Sequence, residues 1–169
     1  MENRPDRLFL AFSSEKLTEL ALRLDTCLAQ LTDEQIWTRG GENENAVGNL
    51  VLHLCGNVRQ WIISGVGGEP DLRRRDAEFA AQGGVTTAEL RERLKTTLGQ
   101  AVPVIDSVTE QHLSEPLSIQ GYDVTVLGAI YHVVEHFAMH TGQIIFITKM
   151  LTGTDLGFYR HLSSKNASA

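Results

Sequence analysis

Hydrophobic residues recur every three or four positions along four long stretches of the chain, and this spacing predicts four amphipathic helices. The first is predicted at about residues 6–30 and is followed by a short helical turn at about 33–37. Its apolar stripe is formed by Leu8, Phe12, Leu17, Leu20, Leu24 and Leu28. The second helix is predicted at about 46–64, where it ends in the glycine-rich GVGG segment.

The third predicted helix begins at a capping box. Thr86 and Glu89 have the S/T-x-x-E spacing that starts a helix, and the pattern continues to about Thr109. Pro103 lies inside this stretch. Because proline removes a backbone donor and clashes with the preceding turn, we expect it to kink or split the helix.

The fourth predicted helix runs from about residue 125 to 151, with Gly153 as its stop. Long connections precede the third and fourth helices, at 69–84 and 112–126, and the second of them is expected to be partly extended. No segment has the sustained alternation of a sheet. Four amphipathic helices with long crossover connections predict an all-α four-helix bundle, because a bundle buries all four apolar stripes.

The chain is expected to form one domain over residues 1–162, followed by a flexible tail at 163–169. It has 15 basic and 21 acidic side chains, so its net charge of −6 argues against a nucleic-acid partner. We find neither a signal peptide nor an apolar run of ~20 residues, so we expect neither secretion nor a membrane span. Cys27 and Cys55 lie in helical patterns, which favours buried thiols and a cytoplasmic protein.

Three histidines recur at four-residue intervals on the fourth predicted helix: His132, His136 and His140. They therefore lie along one side of the helix on successive turns. On a wheel of about 100° per residue with His136 at zero, the apolar stripe centres at about +90°, His140 lies at about +40° and His132 at about −40°. This order favours His136 and His140 as a metal-binding pair, with His132 beside the site, over the alternative pair of His132 and His136.

The second helix supplies the candidate for a third ligand. His53 is its one histidine and is flanked by apolar residues. A metal site with an open position typically has three protein ligands, and a bundle can supply the third only from another helix. The alternative is structural, with His53 a core histidine and the ladder a solvated face. The ladder combined with a histidine on a second buried helix favours a metal site.

Three amide side chains are predicted to lie near this site. Gln143 falls at about −20° on the wheel, beside two of the histidines. Asn49 and Asn57 lie four residues to either side of His53 on the same stripe. Each of these amides is a candidate for orienting an imidazole or binding a substrate.

Three segments of the chain resemble the DinB-like (DinB/YfiT) superfamily, within it a branch described as a domain of unknown function. They are GNLVLHLCGNVRQWI, RRRDAEF and AIYHVVEHFAMHTGQIIFITKMLTGTDLGFY. The most specific feature is an H-x-x-x-H-x-G-Q run with an upstream histidine, carried here by His136, His140, Gly142, Gln143 and His53. The superfamily commonly has arginine before the glycine, where this chain has Thr141.

The resemblance implies an up-down-down-up bundle with a mononuclear three-histidine site, commonly assigned to zinc or nickel. From the residues alone, iron and copper would suit the same ligands. The resemblance also implies frequent homodimers, for which a bundle face carrying Trp61 is a candidate. Characterised relatives include thiol transferases that use bacillithiol and a mycothiol-dependent isomerase.

We weigh three functions, and no catalytic residue is assigned for any of them. The first is a transferase in which a divalent ion activates a low-molecular-weight thiol, with Arg73, Arg74 or Arg75 pairing with the substrate's carboxylates. The second is a metal-dependent hydrolase, which requires a general base, whereas Glu135 falls away from the core. The third is a non-catalytic metal-binding module.

Overall fold

Four long helices dominate residues 4–163, the part of the chain that the computed structural model describes. The elements in chain order are α1 (Pro5–Leu28), α2 (Val47–Val58), α3 (Arg75–Ala80), α4 (Thr87–Ser107), α5 (Glu110–Leu113), β1 (Pro116–Ile119), β2 (Tyr122–Thr125), α6 (Val126–Thr152) and α7 (Arg160–Ser163). None of the helices in this range is long and apolar enough to cross a membrane. The predicted tail, 163–169, lies outside the described residues except for Ser163.

The long helices form a bundle in which α1 and α2 occupy opposite corners, because each packs against both α4 and α6. Helices α1 and α4 are antiparallel. Ser14 near the start of α1 donates to Asp106 at the end of α4 at 2.6 Å. Arg91 near the start of α4 donates to Asp25 near the end of α1 at 2.6 Å.

Two further sets of contacts give the direction of α2. Helix α2 is antiparallel to α6, because His53 contacts His136 and the later residue Asn57 contacts the earlier His132. It is parallel to α4. Cys55 contacts Thr97, and Arg59, the residue after α2, donates to Gln100, so later residues of one helix meet later residues of the other. The connectivity is therefore up-down-down-up, and the predicted all-α four-helix bundle is confirmed.

The buried face of α1 differs from the predicted stripe in its first turns. Leu8 and Phe12 are 53% and 59% exposed, and the buried face passes instead through Leu10, Ser13 and Ser14. Ser13 donates to a carbonyl one turn earlier at 2.7 Å, and Ser14 donates to α4. Both hydroxyls find hydrogen-bond partners inside the bundle, so these serines can be buried. A prediction based on apolar residues alone places them in solvent.

The ends of α4 and α6 agree with the sequence signals. Thr86 Oγ1 accepts from the Glu89 backbone N–H at 3.2 Å, and the Glu89 carboxylate accepts from the Thr86 backbone N–H at 2.7 Å. Gly153 adopts a left-handed conformation with φ 66°, which side chains disfavour, and it ends α6. The predicted start of α4 and the predicted stop of α6 are confirmed.

Pro103 does not split α4, so the split helix that we allowed for was wrong, whereas the kink stays a prediction. The helix continues past it to Ser107. Pro103 itself is exposed, whereas Ala101 and Ile105 on the other face are fully buried. Packing of that face holds the last turns of the helix in place despite the missing backbone donor.

A short antiparallel hairpin, which the sequence analysis did not predict, precedes α6. Strand β1 pairs with β2 from Ile119 opposite Tyr122 outward, through a two-residue turn at Gln120 and Gly121. Ile119 is buried against Gly65. Four-residue strands are too short to give a clear alternation in the sequence.

Helix α2 continues into a π-helical segment at Arg59–Val66. The Gly67 backbone N–H closes this segment by donating to the Ile62 carbonyl at 2.8 Å. Trp61 lies within it and is 3% exposed. The expectation of an exposed bundle face carrying Trp61 was therefore wrong, because this indole lies inside the bundle.

Candidate metal centre

Three histidines meet where α2 crosses the middle of α6. His53 is on α2, and His136 and His140 lie on successive turns of α6. One ring nitrogen from each lies within 4.8 Å of the other two, so the three imidazoles could hold a metal ion. The Nε2 atoms of His53 and His136 are 2.8 Å apart.

The packing of α6 brings these imidazoles to the edge of the core. Four apolar residues on one side of α6 are fully buried: Ile130, Val133, Phe137 and Ile144. His53 is 5% exposed, whereas His136 and His140 are half-buried. The cluster is therefore closed towards the core and accessible along one side of α6.

Burial keeps the histidines of α6 neutral. Burial, reinforced by the nearby His140 and His53 imidazoles, lowers the pKa of His136 to about 3. Burial also lowers the pKa of His140 and of His132. Neutral imidazole is the form that binds a metal, so these side chains need no deprotonation at neutral pH.

Gln143 contacts the outermost imidazole of the cluster. Its Oε1 lies 2.6 Å from His140 Nδ1, one turn along α6. A carbonyl oxygen can only accept, so this contact places a proton on Nδ1 of His140. The Nε2 lone pair of His140 is then free to bind a metal.

Arg73 and Glu78 form a buried ion pair behind His53, and neither was predicted in this role. Two parallel hydrogen bonds of 2.8 Å join the Arg73 guanidinium to the Glu78 carboxylate. Glu78 Oε2 lies 3.1 Å from His53 Nδ1. Burial raises the pKa of Glu78, but hydrogen bonds from Arg73 and His53 outweigh it, and the pKa is lowered.

Gly56 allows this pair to lie against α2. A Cβ at this position would overlap the Glu78 carboxylate and lie 2.9 Å from Arg73 Nε. No sequence period links a residue of α2 to a carboxylate 22 positions later. The pair could therefore not be identified from the spacing of its residues.

Arg74 and Arg75, the other two members of the arginine run 73–75, lie in different environments. Arg75 stacks on Phe79, with its guanidinium carbon 4.9 Å from the ring centroid. Arg74 is exposed and lines a cleft of about 670 Å³ between α2 and α4, together with Arg59 and Arg93. Of the three predicted anion contacts, Arg73 is thus occupied by Glu78.

His132 lies one turn from the cluster, in a second polar layer. Its Nε2 is 3.4 Å from Asn57 Nδ2, and its ring stacks on Trp61 with centroids 4.1 Å apart. Asn57 is 3% exposed, and its Oδ1 has no hydrogen-bond partner among the described residues. This layer presents an unused acceptor next to the histidine cluster.

Asn49 is engaged elsewhere. Its Nδ2 donates to the carbonyl oxygens of Glu78 at 2.9 Å and Ala81 at 2.8 Å. Its Oδ1 accepts from Arg39 at 2.8 Å and from the Ala46 backbone N–H at 3.1 Å. Asn49 therefore fastens α3 and the residue after it to α2.

Solved structures with the same fold place the chain in a structural class. A conserved protein from Enterococcus faecalis aligns with a TM-score of 0.73 at 18% identity, covering 85% of this chain and 97% of its own. The DinB-like protein YjoA from Bacillus subtilis aligns at 0.67 and 16%, covering 87% and 96%. A DinB-like protein from Bacillus cereus aligns at 0.64 and 15%, covering 79% and 87%. The fold is DinB-like, which confirms the predicted architecture.

The sequence itself identifies the family. Residues 6–164 match the family described as protein of unknown function (DUF1572), and the chain belongs to this family. No curated protein matches the sequence significantly. The family assignment agrees with the predicted resemblance to a branch of unknown function.

Proposed function

We propose that the protein is a metal-dependent transferase that uses a low-molecular-weight thiol. The observation that carries the proposal is the convergence of His53, His136 and His140 within 4.8 Å. Three imidazole ligands suit a divalent ion, with zinc or nickel as the first candidates, and leave a coordination position open. When bound, such an ion lowers the pKa of a coordinated thiol.

The reaction would join the thiol to an electrophilic small molecule. The sulfur lone pair forms a bond to the electrophilic carbon, the leaving group departs with its electron pair, and the thiol proton passes to solvent. The chain's own contribution is to keep the imidazoles of α6 neutral and to orient them. Asn57 Oδ1, buried without a partner among the described residues, can accept a hydrogen bond from a polar group of the thiol or the electrophile.

Hydrolysis fits the site less well because it needs a general base. The carboxylate in contact with the cluster is Glu78, which is already bound to Arg73 and lies 3.1 Å from His53 Nδ1. Glu135 is exposed on another side of α6. Without a free carboxylate to activate water or to protonate a leaving group, we rank hydrolysis below the transferase.

Arg74 is our first candidate for binding an anionic substrate, because Arg73 is paired with Glu78 and Arg75 is stacked on Phe79. Arg74 is exposed and lines the cleft of about 670 Å³ that also contains Arg59 and Arg93. Arginine binds carboxylates through two parallel hydrogen bonds. We propose that Arg74 pairs with a carboxylate of the thiol.

The proposal is tested by conjugating a panel of thiols to 1-chloro-2,4-dinitrobenzene with zinc-loaded or nickel-loaded protein. Glutathione, cysteine, bacillithiol and mycothiol would be compared, with the adduct followed by mass spectrometry. We expect at least one thiol to react faster with the metal-loaded protein than with the metal-free protein. This acceleration should disappear in His140→Ala and persist in His112→Ala, a control histidine on α5. Equal rates with the parent and His140→Ala for every thiol would end the transferase proposal, even if the metal is bound.

A second copy of the chain is the partner that we propose for the outer face of α6. This face exposes Tyr131, Met139, Phe146 and Met150, all large apolar side chains on one helix. Burying such side chains favours association. We expect a dimer by light scattering that Phe146→Lys dissociates, whereas a monomeric parent would contradict this arrangement.

The state of the cysteines supports a cytoplasmic location, which we also propose. Cys27 and Cys55 are both free thiols. Burial raises the pKa of Cys27 and raises that of Cys55 to about 11. Free, protonated thiols are typical of proteins in reducing compartments.

A further inference from the structure

Two side chains of opposite character face the same nitrogen of His53. Glu78 Oε2 lies 3.1 Å from His53 Nδ1, and Arg73 Nη2 lies 3.0 Å from it. A carboxylate can only accept a hydrogen bond, and a guanidinium can only donate. The two neighbours therefore favour opposite tautomers of this imidazole.

Each tautomer has a different consequence at the other nitrogen. With the proton on Nδ1, His53 donates to Glu78 and its Nε2 lone pair is free. With the proton on Nε2, the ring accepts from Arg73 and directs its N–H towards His136 Nε2, 2.8 Å away. Only the first tautomer allows His53 to bind a metal through Nε2.

The hydrogen bonds around Arg73 favour the first tautomer. Arg73 already donates to both oxygens of Glu78 and to Gln60 Oε1 at 2.9 Å, so it does not need His53 as an acceptor. The side chains of Arg73 and Glu78 are 3% and 11% exposed, so water competes little for these contacts. A proton on Nδ1 makes the 3.1 Å contact with Glu78 Oε2 a hydrogen bond, whereas a proton on Nε2 would leave two acceptors facing each other there.

We propose that Glu78 is a positioning residue that fixes the metal-binding tautomer of His53, and that Arg73 and Gly56 hold Glu78 in place. The inference rests on the metal site proposed above. Arg73 fixes the carboxylate by its two parallel hydrogen bonds, and Gly56 leaves room for the pair against α2. Removing the carboxylate leaves Arg73 as the remaining partner of His53 Nδ1 and favours the tautomer that cannot bind.

The first arm of the test measures zinc affinity by competition with a chromophoric chelator. We expect Glu78→Gln and Glu78→Ala to bind zinc about 10–100-fold more weakly than the parent, the usual effect of losing a group that orients a ligand. Glu92→Gln is the matched control, because Glu92 is an exposed carboxylate on the α4 side of the same cleft. It should bind as the parent does. Circular dichroism would establish that each variant is folded.

The second arm observes the tautomer directly, by long-range ¹H–¹⁵N spectra of the metal-free protein. His53 should carry its proton on Nδ1 in the parent and in Glu92→Gln. In Glu78→Ala the proton should move to Nε2, a change that a general loss of stability would not produce. Glu78→Gln serves the same purpose if the alanine variant does not fold, because its amide nitrogen can donate to Nδ1.

The outcomes separate this inference from the proposed function. If His53→Ala loses zinc while both Glu78 variants bind as the parent does, the metal site stands and the role of Glu78 is wrong. If the parent binds no zinc or nickel, the proposed function fails. The spectra still decide whether Glu78 controls the tautomer, since an unchanged His53 in Glu78→Ala overturns the inference with or without a metal.

Discussion

His136 combines a central place in the cluster with strongly altered acid–base behaviour, since its pKa falls from an ordinary 6.5 to about 3. Burial and the surrounding imidazoles cause this shift. The same shift that keeps the ring ready for a metal also carries a stability cost in acid. The cost appears because the unfolded chain can take up a proton that the folded protein excludes.

We predict that the metal-free protein loses stability as the pH falls below about 6.5. Between pH 6.5 and about 3 the unfolded state binds more protons at His136 than the folded state does, so the free energy of unfolding decreases with decreasing pH. Urea unfolding between about pH 6.5 and pH 5 measures this effect before most carboxylates titrate. The slope should be shallower in His136→Asn, and an unchanged slope would contradict the shift.

The two thiols should resist alkylation. Burial raises the pKa of Cys55 to about 11, so on the order of one thiol in a thousand is a thiolate at about pH 8. Burial raises the pKa of Cys27 as well. We expect iodoacetamide to modify the native protein far more slowly than the urea-unfolded protein, as followed by intact mass. Rapid native modification would be inconsistent with the burial of Cys27, and with the raised pKa of Cys55, which is partly buried and lines the cleft.

The histidines of the site could be predicted from the sequence, whereas the residues behind them could not. His136 and His140 share a helix, so their spacing alone places them side by side, and His53 stood out as one histidine on an apolar helix. Glu78 and Arg73 reach His53 from a separate short helix and its preceding loop. Contacts of this kind depend on how a connection folds back, which has no period in the sequence.

At the scale of elements, Gly56 is a point of close approach between α2 and the segment carrying Arg73 and Glu78. A methyl group there would overlap the Glu78 carboxylate and displace the ion pair. A glycine in open space on another helix offers a direct comparison. Gly99 on α4 is exposed, and a Cβ there would meet no atom within 4 Å.

We predict opposite effects for alanine at these two glycines. Gly56→Ala should destabilise the protein by about 1–3 kcal/mol, because overpacking forces the ion pair to move. Gly99→Ala should stabilise it by up to about 1 kcal/mol, because alanine is the better helix former. Urea denaturation of both variants measures the difference. Equal shifts of the same sign would mean that the close approach at Gly56 carries no cost.

The long helices were predictable because each buries one stripe, and an amphipathic stripe gives a period of about 3.6 residues. The elements that the sequence analysis missed are short or irregular: α3, the β1–β2 hairpin and the π-helical segment. Packing between distant parts of the chain fixes such elements, as where Ile119 of the hairpin packs on Gly65 of the π-helical segment. The first turns of α1 were misassigned because Ser13 and Ser14 are buried there, whereas the expected Leu8 and Phe12 are exposed.

At the scale of the whole molecule, the up-down-down-up connectivity brings α2 beside α6. It is this adjacency that unites His53 with His136 and His140 across 83 and 87 positions of the chain. A metal bound between the two helices would stabilise the folded state relative to an unfolded chain that lacks the site. A metal at the three-histidine centre would therefore join α2 to α6 and contribute to the stability of the bundle.

The metal content of the purified protein is the decisive test of the three-histidine centre. The parent and the variants His53→Ala, His136→Ala, His140→Ala and His132→Ala would be purified tag-free without added metal and analysed by mass spectrometry of the elements. We predict about one divalent ion per parent chain, lost in the first three variants and retained in His132→Ala. A parent that holds no ion, even after reconstitution with zinc or nickel, would contradict it and return the histidines to a structural role.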